Sequence, residues 1–82
     1  MRIPGRVNLP FGYVISVKQL KQDEMNRVSL SDADGGWNVD IRTIYILKTL
    51  PITRKRYILA HELGHAWLDW QHHHLNNGQS KT

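Results

Sequence analysis

The segment that most constrains the fold of this 82-residue chain is 58–68, which reads ILAHELGHAWL. It is rich in apolar helix-forming residues, and Glu62 is its only charged side chain. Residues four apart lie on one face of an α-helix, one turn from each other. The imidazoles of His61 and His65 can therefore point at a single ion. The pattern predicts a rigid, partly buried helix that carries His61, Glu62 and His65.

The sequence His-Glu-x-x-His on a helix is typical of zinc sites in metallopeptidases. Zinc accepts neutral imidazole and has no redox chemistry of its own, so Zn²⁺ is the expected cofactor. Glu62 can take a proton from a metal-activated water and deliver it to the leaving amine. An amphipathic helix with two surface histidines is the alternative, but it does not explain the apolar residues on both sides. We therefore predict His61 and His65 as metal ligands and Glu62 as the catalytic base.

Gly64 interrupts the predicted helix between the two histidines. A glycine inside a helix costs about 1 kcal/mol relative to alanine. Its missing side chain would let a neighbouring strand or a substrate come close, so we expect a close approach at Gly64.

The composition supports a small globular domain. Apolar residues make up 40% of the chain, and three Trp and three Tyr are among them. Cysteine is absent, which removes disulfides and thiolate ligands, so any metal must use histidine and carboxylate. The lack of cysteine is compatible with the cytoplasm, which is the expected compartment. No segment approaches the ~20 apolar residues of a membrane span, so we expect no membrane partner.

The formal net charge of +4 raises the question of a nucleic-acid partner. The basic residues are scattered along the chain, and only Arg54, Lys55 and Arg56 form a cluster. A solvated helix start explains this cluster better than a phosphate-binding patch does. A nucleic-acid partner is therefore not expected.

Short elements alternate in the first half of the chain. Residues 11–17 are β-branched and aromatic, which predicts a strand, and residues 18–26 predict a short helix. Residues 27–31 alternate polar and apolar positions, as half-buried strands do. Residues 32–36 predict a plain turn, because the calcium-loop pattern that Asp32 and Asp34 suggest is incomplete.

One strand and the motif helix make up the second half. Residues 37–47 predict a strand that enters the core, and Leu50-Pro51 ends it. Thr53 is a suitable helix N-cap, so the helix is expected from about Arg54 to about His72. The sequence thus predicts an α+β fold, with a small sheet of about three strands packed on a long C-terminal helix. We expect one domain over residues 1–82, with an irregular arm at 1–10 and a flexible tail at 75–82.

This order of elements, with His-Glu-x-x-His on the last helix, resembles the minimal N-terminal half of a gluzincin-type zinc peptidase. The chain is more similar still to the peptidase domain of the plant LIM-containing, ubiquitin-activated regulators of organ size. The resemblance implies a zincin-like zinc peptidase with a peptide or protein substrate, in which His61 and His65 are ligands and Glu62 is the base. Its specific part is residues 58–68, and weaker matches are Tyr45-Ile46-Leu47, Leu50-Pro51, Gln19-Leu20 and Leu30-Ser31.

The third zinc ligand is the point at which the resemblance stops. Gluzincins use a glutamate on a later helix, and no glutamate follows Glu62 here. A catalytic zinc needs three protein ligands plus water. Asp69 lies one turn beyond His65, too far for a short side chain, and is a better surface acid or hydrogen-bond partner of His65. The other candidates in the chain are His72, His73, His74 and the upstream acids Asp23, Glu24, Asp32, Asp34 and Asp40.

Two further explanations need no third ligand from this chain. A second chain could supply the ligand, or the chain could be a fragment or a shortened form without the glutamate helix, which we favour. Tyr57 lies one turn before His61 and could donate to an oxyanion, but packing is the better interpretation of Tyr57, Trp67 and Trp70. Two functions follow: a zinc peptidase, and a metal-binding, catalytically silent module that recognises a protein.

Overall fold

The structure is a computed structural model that describes residues 3–30 and 33–72. Its six elements form an α+β domain, as predicted, in which helix α2 packs on a four-stranded mixed sheet. They are, in chain order, β1 (Arg6–Leu9), β2 (Tyr13–Leu20), α1 (Gln22–Arg27), β3 (Gly35–Asn38), β4 (Thr43–Leu47) and α2 (Ile52–Gln71).

The strands lie side by side in the order β1-β2-β4-β3. β1 and β2 form an antiparallel hairpin, β2 and β4 are parallel, and β3 and β4 form a second antiparallel hairpin. β3 is therefore an edge strand of this sheet. Because α2 packs against β3 and β4, the motif helix lies at the β3 side of the domain.

The core lies between the sheet and α2. β2 alternates strictly at its start, where Tyr13, Ile15 and Val17 are buried and the residues between them are more exposed. β4 is central, so its residues are buried on both faces of the sheet. Helix α2 adds Ile58, Ala66 and Trp70, which are spaced by four or eight residues and so share one face.

Three predictions about the position of the strands are wrong. β1 lies within residues 1–10, where an irregular arm is expected, because Arg6–Leu9 pairs with β2 through a tight turn. Residues 27–30 finish α1 and the loop after it, with Ser29 at a positive φ of 64°, so no strand forms there. Residues 37–47 are not one strand, because Arg42 also has a positive φ of 50° and the chain reverses between β3 and β4.

Both predicted helices are present, but their first residues differ from the prediction. β2 continues to Leu20, so α1 begins only at Gln22. Helix α2 begins at Ile52 instead of Arg54, and Pro51, not Thr53, is its N-cap. The carbonyl of Pro51 accepts the first helical hydrogen bond from the backbone N–H of Lys55, at 3.0 Å. Within the described ranges, no helix has the length and apolarity that a membrane span requires. The tail predicted at 75–82 lies outside the described residues.

Candidate metal and catalytic site

Helix α2 holds Glu62 on the face that packs against the sheet. The buried residues of this helix are Ile58, Glu62, Ala66 and Trp70, a run spaced by four residues. Glu62 is only 9% exposed, close to the 7% of Ile58 and the 6% of Trp70. Its carboxylate is therefore held by the packing of the helix, and it lies next to the two histidines in sequence.

The Glu62 carboxylate has no hydrogen bond and no ion pair to any described residue. A buried polar group left without a partner costs about 1–3 kcal/mol, and a charged one costs more. Such groups are rare in folded proteins, and each needs an explanation. Packing alone does not explain why a carboxylate occupies this position.

His61 and His65 lie on the exposed side of α2, directly beside Glu62. Their ring centres are 5.0 Å apart and their planes are inclined by 80°. Neither imidazole forms a hydrogen bond to a residue that the structure describes. Zn–N bonds are about 2.0–2.1 Å long, so the centres of two imidazoles on one ion lie within about 6 Å. The distance between the two ring centres meets this condition, and imidazole nitrogen is a ligand that zinc accepts.

A cleft of about 360 Å³ opens beside His61 and Glu62. Its walls come from the loop before β3, from Gly35 and from the first half of α2. The lining residues are Asp34, Gly35, Arg54, Tyr57, Ile58, His61 and Glu62. The predicted base and one predicted ligand thus line the same open space.

Gly35 lets α2 lie directly on β3. A Cβ atom at Gly35 would overlap Cγ2 of Ile58 and would lie 2.7 Å from the carbonyl oxygen of Tyr45. Gly64, where the sequence predicted a close approach, has no atom within 4 Å of the Cβ position. The close approach to a strand is thus at Gly35, because Gly64 lies on the exposed side of the helix. Approach of a substrate to Gly64 stays a prediction.

Asp69 does not join the predicted metal site. The indole Nε1 of Trp37 donates a hydrogen bond to Oδ2 of Asp69, and this contact is partly buried. Asp69 therefore connects α2 to the middle of β3. The predicted role as a hydrogen-bond partner of His65 is wrong, because the Asp69 carboxylate is directed to Trp37.

The candidates for a third ligand that the structure describes form no metal-binding group with the histidines. Among residues 3–30 and 33–72, no group of three His, Asp or Glu side chains could hold a metal ion. Glu24 accepts a hydrogen bond from the backbone of Lys21, and Asp34 pairs with Arg54. His72 is exposed at the end of α2, and Asp23 and Asp40 are exposed as well. Asp32, His73 and His74 lie outside the described residues.

The basic residues at the start of α2 contact different partners. Arg54 binds Asp34, Lys55 donates from Nζ to the side-chain oxygen of Gln19 at 2.7 Å, and Arg56 is exposed. The absence of a nucleic-acid partner stays a prediction.

Sequence reasoning singled out His61 and Glu62, which line the cleft, but missed the residues that form its other walls. Gly35, Asp34 and Trp37 were assigned to a turn and to the start of a long strand. A Gly-Gly pair before a tryptophan is a signal that could have shown the close approach, since glycine within a strand often marks a nearby backbone. The roles of Asp34 and Arg54 depend on tertiary pairing, and their spacing in sequence gives no sign of it.

Comparison with known proteins agrees with the resemblance that the motif helix suggested. The profile of the family described as "DA1-like: Protein DA1" matches residues 13–78, from the start of β2 to beyond the end of α2. Neither the curated proteins nor the solved structures give a match. The matched range covers most of the 82 residues and includes His61, Glu62 and His65. The chain therefore belongs to the DA1-like family.

Proposed function

We propose that this domain is a zinc-dependent peptidase in which His61 and His65 hold the metal and Glu62 is the general base. The observation that carries the proposal is the Glu62 carboxylate, which is buried and has no partner among the described residues. It faces a cleft that it shares with His61. A carboxylate kept in this state at a cost in stability is expected where it has a chemical task.

Each of the three residues has a distinct task in this proposal. Zinc held by His61 and His65 would supply Lewis-acid chemistry for a peptide carbonyl and a water molecule. Glu62 accepts a proton on its carboxylate from the attacking water and returns it to the leaving amine. Because α2 packs on the sheet through Ile58 and Ala66, the helix holds the carboxylate in place without a hydrogen bond to any residue that the structure describes.

The free side of β3 is the proposed binding place for the substrate. Within the described sheet, β3 pairs only with β4, so its other side carries unpaired N–H and C=O groups. An extended peptide can add to such an edge as a further strand. Gly35, at the start of β3, lines the cleft with His61 and Glu62. A peptide on this edge would therefore pass close to the proposed base.

A metal-binding module without activity is the second candidate function. It is favoured by one observation, the absence of a third metal-binding side chain near His61 and His65 in the described part of the chain. A second chain or a longer form of this protein could complete the site. The two candidates agree on metal binding and differ in hydrolysis, so one variant can separate them.

Glu62→Gln is the decisive variant for hydrolysis. The amide has nearly the size of the carboxylate but cannot accept the proton, so we expect zinc binding to persist. Cleavage of unfolded casein should fall by about 10²–10⁴-fold, the usual loss of a general base. Arg56→Gln, an exposed change on the same helix, is the matched control and should cleave like the wild type.

Equal zinc-dependent cleavage by Glu62→Gln and wild type would remove Glu62 from the mechanism. If neither protein cleaves while both bind zinc, the silent module is the better account of this chain.

A further inference from the structure

We propose that the Arg54 end of the cleft is a subsite for an acidic side chain of the peptide substrate, about three residues from the scissile bond. This proposal rests on the proposed peptidase function and adds a substrate class to it.

The guanidinium of Arg54 has N–H donors that no described residue accepts. Its Nε and Nη2 both donate to a single oxygen, Oδ2 of Asp34, at 3.3 and 3.2 Å. A guanidinium carries five N–H donors in a planar fork that matches carboxylate groups. No other acceptor among the described residues bonds to it, and the Arg54 side chain is 48% exposed. Free N–H groups are therefore available beside the cleft.

Arg54 belongs to a row of side chains that ends at the proposed metal ligand. Its Cζ lies 5.0 Å from the centre of the Tyr57 ring, and the Tyr57 ring is stacked on His61 with centres 6.3 Å apart. Contact with an aromatic face limits the positions that a long arginine side chain can take. The charge is thus held at a defined place in line with His61.

The spacing along the helix gives the distance to the reacting bond. Arg54 and His61 are seven residues apart, which corresponds to a rise of about 10 Å at 1.5 Å per residue. An extended peptide advances about 3.3 Å per residue. A peptide that lies along β3 would therefore place a side chain at Arg54 about three residues from the bond at His61 and Glu62.

The unused N–H groups of Arg54 favour an acid over a base at this end of the cleft. The described lining holds one arginine, Arg54, and two acids, Asp34 and Glu62. Asp34 already uses Oδ2 to accept both hydrogen bonds from Arg54. An incoming lysine would meet the Arg54 charge, whereas an incoming carboxylate would meet its free N–H groups.

The test is cleavage of a diverse peptide library by the zinc-loaded protein, with the new termini sequenced by mass spectrometry. We expect Asp and Glu to be enriched about three- to fivefold at one position about three residues from the cut, as for a half-exposed ion pair. Arg54→Gln should lose the enrichment, and Arg54→Glu should replace it with enrichment of Lys and Arg. Arg56→Gln, which removes the same charge outside the cleft, should keep it.

Asp34→Asn is a second variant, and it should change the enrichment in the opposite direction. It removes the charge that pairs with Arg54, so the enrichment of acidic residues should increase. Circular dichroism melts of all variants show whether each one is folded.

Cleavage without enrichment of acidic residues would overturn the subsite and leave the peptidase intact. If the wild type cleaves nothing, the proposed peptidase fails, and binding then decides the subsite. Fluorescence anisotropy would compare an acidic peptide with its amide counterpart on the Glu62→Gln protein. Equal affinity, or no binding of either peptide, would overturn the subsite as well.

Discussion

The two sides of α2 differ in what their residues contact. The side that faces the sheet contains Ile58, Ala66 and Trp70, and each of them packs into the core. The other side carries His61 and His65, exposed and without hydrogen bonds to the described residues. Glu62 belongs to the buried side by position, but like the exposed histidines it forms no hydrogen bond to a described residue. The proposed site therefore lies where the packed side and the open side of α2 meet.

Some residues of this region are required for the fold, and others are not. Gly35, Trp37 and Asp69 attach α2 to β3, and their contacts account for their identities. No hydrogen bond or ion pair among the described residues accounts for the polar triplet His61, Glu62 and His65. Substitution of Gly35 or Trp37 should therefore lower the free energy of unfolding, and substitution of Glu62 should raise it.

The largest loss of stability is expected from Gly35→Ala. Its Cβ would overlap the side chain of Ile58 and crowd the backbone oxygen of Tyr45, so α2 or β4 must move. Overpacking of this kind costs about 2–3 kcal/mol. Gly64→Ala is the matched control, because a Cβ there meets open space, and it should stabilise the helix by about 1 kcal/mol. Urea melts of both variants measure the difference, and equal effects would show that α2 does not lie close to β3.

A smaller loss is expected from Trp37→Phe. This change removes the indole donor and leaves the Asp69 carboxylate without the hydrogen bond that joins α2 to β3. An unsatisfied, partly buried acceptor costs about 1–2 kcal/mol. Asp69→Asn keeps an acceptor oxygen and should lose less. Urea denaturation of both variants makes the comparison, and the link is refuted if Trp37→Phe is as stable as the wild type.

The smallest expected change in stability is a gain, from Glu62→Met. Glu62→Met replaces a buried carboxylate, which has no hydrogen bond to residues 3–30 or 33–72, with an apolar side chain of similar length. In the presence of a chelator we expect a gain of about 1 kcal/mol, which raises the melting temperature by about 4–8 °C in a domain of this size. Arg56→Met, an exposed control on α2, should change little. A loss of stability in Glu62→Met would mean that the carboxylate supports the fold.

The sequence was most informative where a pattern and a physical requirement coincided. The motif helix was predicted to within two residues at its start and one at its end, since Pro51 and the apolar spacing both limit it. The α+β class followed from the same helix and the β-rich segments around it.

The remaining elements depend on contacts between distant segments. Arg6–Leu9 has little strand character of its own and becomes β1 by pairing with β2. The hairpin between β3 and β4 needs a positive φ at Arg42, a residue that gives no turn signal. The link from Trp37 to Asp69 joins residues 32 positions apart, which no local pattern can show.

The most direct test of the central claim is zinc content of the purified protein after dialysis, measured for the wild type, for His61→Ala/His65→Ala and for His72→Ala. His72 is exposed at the end of the same helix and is the matched histidine control. We predict stoichiometric zinc in the wild type and in His72→Ala, and loss of zinc in the double variant, because the proposed site uses the His61 and His65 imidazoles, whose ring centres are 5.0 Å apart. Unchanged zinc in the double variant, or a loss confined to His72→Ala, would contradict the account.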